Sequence, residues 1–130
     1  MSIRIKDIAF TAYPVTDVPR ARAFYGQILG LKETMAHDLG DGKWWIEYDI
    51  GAGTLAITNV TKPATDHNGP NIALEVEDLD EALADLKSKG VNFFPPDPAA
   101  PDSLVMDSPI CRFFFIIDPD GNGINIHQHK

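Results

Sequence analysis

The side chains able to do chemistry gather on two stretches of the chain. His127 and His129 stand two residues apart. That spacing sets both imidazoles on one face of a strand and is one that metal-binding pairs use. Glu75 sits in the alternating run Asn71-Ile-Ala-Leu-Glu-Val-Glu-Asp78. There Ile72, Leu74 and Val76 share a face and leave Asn71, Ala73 and Glu75 on the other. A carboxylate so placed is either a half-exposed strand residue or a base or cation-binding group in an apolar cup. By the same alternation Ile124 and Ile126 turn one way, while Asn125 and His127 turn the other. His127 is then able to exchange a hydrogen bond with a ligand, although it and His129 lie on a strand end expected to be solvated. His37 and His67, at a strand end and in a polar linker, are expected at the surface. No basic neighbour is placed to favour a thiolate at Cys111, which reads as a small core residue.

Aromatic residues add a second kind of chemistry. Trp44, Trp45 and Tyr48 mark one strand, and Phe113, Phe114 and Phe115 another. Equal parity in the two strands would turn Trp44, Ile46, Tyr48, Phe113 and Phe115 inward. A cavity lined by aromatics with a few amides has the usual make-up of a small-molecule pocket. The expected ligand-binding set is Phe10, Trp44, Tyr48, Asn71, Glu75, Phe113, Asn125 and His127. Glu75 and His127 are also the candidates for any acid–base catalysis.

Positioning these residues takes two copies of one plan. Phe10 to Asp17 and Asn71 to Asp78 have the same layout, and each precedes a helical pattern. Asp17 and Asp78 are good helix N-caps, and Pro19 fits a first turn. Ala21, Phe24, Tyr25 and Ile28 form one apolar stripe, and Leu79, Ala82, Leu83 and Leu86 the other. Gly30 and Gly90 close the two helices. Three strands follow each helix: Lys32 to His37, Trp44 to Ile50 and Thr54 to Val60 in the first half, and the stretches from Val91 to His129 in the second. Asp118-Pro-Asp-Gly-Asn122 is a strong turn. The fold class is therefore α+β, with two βαβββ modules. Module one runs over about residues 4–60, the linker over 61–70 and module two over 71–129, all within a single domain at 1–130.

Composition bounds the function. With 130 residues, 44% of them apolar, the chain can build a core without disulfides or a structural metal. A net charge of −8 argues against nucleic acid or an anionic membrane as the partner. No apolar run approaches the roughly 20 residues that span a bilayer. The opening Met-Ser-Ile-Arg-Ile-Lys-Asp has no signal-peptide core. With a lone cysteine, the expected location is the cytoplasm.

Val15-Thr-Asp17, Phe24-Tyr25, Leu29-Gly30-Leu31 and the run Ile117-Asp-Pro-Asp-Gly-Asn122 ending in Ile-Asn-Ile126 resemble the vicinal oxygen chelate superfamily. This is the glyoxalase, bleomycin-resistance and extradiol-dioxygenase group, and the resemblance covers Ile8 to His127. It implies paired modules whose sheets curve around a central cavity, and a homodimer. It also implies metal ligands, as His or Glu, at positions that here hold Phe10, Ala56, Asn71 and Asn125. None of these suits the borderline cations that His/Glu sites bind, and a one-residue slip supplies none. The expectation is a metal-independent and cofactor-free protein that binds an apolar or aromatic small molecule. An enzyme with displaced or absent metal ligands (a lyase, isomerase or oxygenase) is the alternative, and a dimerisation module with a vestigial cavity is the third reading.

Overall fold

The computed structural model describes residues 3, 4, 6–63 and 71–130. His67, and the linker from residue 64 to 70, lie outside the described residues. The chain divides into two compact units, residues 1–62 and 63–130.

In unit one, strand β1 (Thr11–Pro14) leads into helix α1 (Val18–Arg22), which runs on as a π-helical segment (Ala23–Ile28). Strands β2 (Lys32–Gly40), β3 (Lys43–Ile50) and β4 (Gly53–Thr58) complete it. The sheet order is β1-β4-β3-β2, with β1 parallel to β4 and the other pairs antiparallel. Asp17 starts the helix as expected, its Oδ1 accepting the Arg20 N–H at 3.0 Å. The wide turn shows at the end, where the Leu29 N–H reaches the Phe24 carbonyl, five residues back, at 2.9 Å. Gly30 then takes a φ of +71°, which a side chain would resist. Val18, Ala21, Phe24 and Tyr25 bury one helix face, and Tyr13, Ile46, Tyr48, Leu55 and Ile57 are buried on the sheet. Each large apolar side chain buried this way stabilises the unit by about 1.5–3 kcal/mol.

Unit two repeats the plan with β5 (Ile72–Glu75), α2 (Leu79–Ser88), β6 (Asn92–Phe94), β7 (Met106–Asp107), β8 (Cys111–Ile117) and β9 (Gly123–His129). Its order is β5-β9-β8-β6, with β7 also paired to β8 and β5 parallel to β9. Asp78 caps α2 by accepting the Glu81 N–H at 3.0 Å. A second cap comes from β9, where Gln128 Oε1 accepts the Leu79 N–H at 2.8 Å. Leu79 and Leu86 are buried, as are Phe114, Ile116, Ile124 and Ile126 on the sheet. Cys111 is buried and its thiol lies 3.3 Å from the Ser108 hydroxyl, so it is a packing residue. The architecture is α+β, two mixed sheets each with one helix. Among the described residues no helix is long and apolar enough to cross a membrane.

Candidate functional site

The face of the second sheet turned away from α2 is set by register. Ala73 pairs with Asn125 and Glu75 with His127 across β5 and β9. Phe113 pairs with His127 and Phe115 with Asn125 across β8 and β9, and Phe94 pairs with Phe115 across β6 and β8. Directly paired residues point the same way, so these side chains share one surface. Their neighbours Phe114, Ile116, Ile124 and Ile126 fill the opposite side.

The rings on this surface form a continuous row. Phe94 and Phe115 stack with centroids 4.8 Å apart and planes 6° from parallel. Phe115 meets Phe113 edge-on at 5.4 Å. Phe113 in turn lies nearly parallel to the His127 ring at 6.5 Å. Asn125 stands beside Phe115, and its buried amide Oδ1 has no hydrogen-bond partner. An acceptor sheltered from water without a donor costs about 1–3 kcal/mol, which a ligand N–H or O–H would relieve.

The charged end of the surface is built on Glu75. Its Oε1 lies 2.6 Å from His127 Nδ1 and 3.8 Å from His129 Nε2. Its Oε2 accepts the backbone N–H of His129 at 2.7 Å. That backbone donor, followed by the His127 side chain, holds the Glu75 carboxyl below the usual carboxylate range. His129 is thus more than a solvated strand end, although its side chain stays 77% exposed.

Of the residues expected on ligand-facing surfaces, Glu75, Phe113, Asn125 and His127 share this one. Asn71 is exposed just before β5. Phe10 lies in unit one, where it meets Trp45 edge-on at 4.9 Å. His37, on β2, is exposed.

The expected inward parity of Trp44, Ile46 and Tyr48 is overturned. Ile46 and Tyr48 are buried in the core of unit one, and Tyr48 lies 6.1 Å from Tyr25 of the helical segment. Trp44 has the same parity. The residues turned away from the helix are instead Trp45, paired with Thr58, and Glu47, paired with Ala56. The cause is hairpin register. Ala56 faces Glu47, nine residues earlier, whereas its counterpart Asn125 faces Phe115, ten residues earlier. One residue of difference reverses every side chain on the strand. Trp45 and Glu47 are joined, the indole Nε1–H donating to Oε2 at 2.7 Å. The hairpin registers were the signal that would have found them.

At the positions where metal ligands were implied, the structure offers none. Phe10 packs on Trp45, Ala56 pairs with Ala12 and Glu47, and Asn71 and Asn125 are neutral amides. That set does not fit a borderline divalent cation.

A helix-backed mixed sheet occurring twice, with polar and aromatic side chains opposite the helix, defines a paired-module α+β protein. The chain belongs to the Glyoxalase/Bleomycin resistance protein/Dioxygenase superfamily, whose family model matches residues 7–126. Among solved structures it is similar to TnmS3, an antibiotic binding protein from Streptomyces sp. CB03234, at 22% identity over 99% of this chain and 100% of that one, with a TM-score of 0.76. It is similar to the fosfomycin resistance protein FosX from Listeria monocytogenes at 16% identity, over 98% and 96% of the two chains, with a TM-score of 0.74. The Leishmania major glyoxalase I shares 25% identity over 95% of this chain and 87% of its own, with a TM-score of 0.72. No curated protein sequence gives a significant match.

Proposed function

We propose that the protein binds a flat apolar or aromatic small molecule on the Phe94–Phe115–Phe113–His127 surface, without a cation at the superfamily's inherited ligand positions. The observation that carries this reading is the unbroken row of rings beside an unpartnered Asn125 amide oxygen. Rings supply area and stacking energy, and one sheltered acceptor fixes orientation. The ligand is therefore planar and carries at least one hydrogen-bond donor. The fold it shares with TnmS3, named as an antibiotic binding protein, supports the same reading. A cytoplasmic homodimer goes with it. Edge strand β2 is exposed along its whole length, with Met35 and Leu39 each 47% exposed, and offers a surface for a second copy.

Thermal-shift and calorimetric screening of planar aromatic compounds tests the proposal. A true ligand at 100 times its Kd raises stability by about 2.7 kcal/mol. Phe113→Ala should weaken binding by removing a stacking partner worth about 0.5–1.5 kcal/mol, roughly 2- to 12-fold. A ligand whose affinity is unchanged by Phe113→Ala and by Asn125→Leu would place binding elsewhere.

A second reading rests on the 2.6 Å contact between Glu75 and His127. A carboxylate orienting an imidazole is a proton-transfer pair, so a lyase or isomerase acting on the same ligand is the enzymatic alternative. Turnover of a bound compound that falls in His127→Gln far more than the affinity does would establish it.

A further inference from the structure

We propose that Glu75, His127 and His129 form a site for one borderline divalent cation of the zinc class, displaced from the positions the superfamily resemblance implied. The inference goes beyond the small-molecule reading and does not rest on it. These are the described residues whose His, Cys, Asp or Glu donor atoms converge: one carboxylate oxygen and two imidazole nitrogens, all within 4.8 Å of one another.

The backbone makes the convergence. His127 and His129 share a β9 face, and parallel pairing puts Glu75 opposite His127. The His129 N–H holds Oε2, leaving Oε1 directed between the two rings. Phe113 lies nearly parallel to the His127 ring, and the two imidazoles meet edge-on with centroids 4.7 Å apart. Ligands that hold their cation at about 2.0–2.1 Å in a tetrahedral shell stand about 3.4 Å apart. Here the contacts from Oε1 are 2.6 Å and 3.8 Å, on either side of that separation. Side-chain rotation alone would bring them to it, because Glu75 is 49% and His129 77% exposed. Two nitrogens and one oxygen suit zinc and its neighbours better than calcium or magnesium, which take oxygen ligands. Three protein ligands on an exposed strand end leave a coordination position open to water or an anionic ligand.

The test uses the full untagged chain, stripped with chelator, titrated with Zn²⁺ by calorimetry and with Co²⁺ by visible absorption. Saturation at one ion per chain is expected, with a Co²⁺ spectrum of low coordination number. His127→Ala and His129→Ala should each weaken uptake by about tenfold or more, and His37→Ala should not. His129 keeps the test valid should His127→Ala fail to fold, since its side chain is mostly in water. No saturable uptake, or uptake that survives His129→Ala in a folded protein, overturns the proposal. No aromatic compound enters the measurement, so its failure would leave the small-molecule reading untouched, and the converse holds.

Discussion

Glu75 and His127 face each other across the parallel pairing of β5 and β9, with carboxylate and imidazole 2.6 Å apart. Phe113 flanks the same imidazole from β8. One histidine on a central strand thus joins the aromatic row to the polar end of the surface. β9 can serve both because each neighbouring strand presents a paired residue on the same side.

The Glu75 carboxyl is held below its ordinary value of 4.5, chiefly by the His129 N–H and then by His127. Asp80 and Asp107 are held below 3.8 by Arg112 and Lys130. The unfolded chain therefore takes up protons at higher pH than the folded one. The stability from these groups is complete above the ordinary carboxylate values and is lost as pH falls through them towards the lowered folded values. Thermal unfolding followed from neutral pH downward should show a falling Tm below about pH 5. In Glu75→Gln the fall should be shallower, and an equally steep fall would contradict the assigned cause.

Tyr48 offers a check on the corrected parity. Burial pushes its phenol up to about 12, and its hydroxyl is buried with no partner. Tyr48→Phe should leave stability unchanged or raise it by up to about 1–3 kcal/mol, because an unsatisfied group is removed. Tyr48→Ala should cost about 3–5 kcal/mol, as large aromatic deletions in cores do. Neither should alter the affinity of a ligand held on the second sheet. Chemical denaturation and calorimetry check all three statements, and a ligand lost in Tyr48→Phe would restore the inward placement.

Local chemistry was the most legible part of the sequence. Asp17 and Asp78 act as caps, Gly30 and Gly90 take positive φ, and the apolar alternation of Ile72 to Val76 and Ile124 to Ile126 reports the correct face. Each of these depends on residues within a few positions of one another. Trp45 and Glu47 were missed because facing on β3 depends on pairing register, and at equivalent positions that register differs by one residue between the two hairpins. In the run Trp44-Trp45 both residues are large and apolar, so alternation carries no information there. Similarly, the second cap on α2 comes from Gln128, forty-nine residues away, and has no local signature.

The turn between β8 and β9 is expected to be sensitive. Asp118 is 2% exposed, and its carboxylate accepts the Asp120 N–H, the Asn122 N–H and the Asn122 side-chain amide at 2.8–2.9 Å. Asp118→Ala leaves three donors without that acceptor and should cost about 1–3 kcal/mol or more. Asp118→Asn keeps one acceptor oxygen and should cost less. Denaturant midpoints would order the two, and equal losses would show that charge rather than hydrogen-bond count holds the turn.

Chelation separates the two uses of the β9 surface. Stacking on Phe94, Phe115 and Phe113 and a bond to Asn125 need no cation, so an aromatic ligand should bind with the same Kd, within about twofold, before and after chelator treatment. Zinc, in contrast, competes with the Glu75–His127 hydrogen bond, because a nitrogen that ligates a metal cannot carry the bridging proton. Zinc should therefore raise the Tm of the native chain through linkage and leave that of His129→Ala nearly unchanged. A ligand whose affinity collapses on chelation would mean that it reaches the protein through the cation, and the aromatic row would then be a wall of the site rather than its floor.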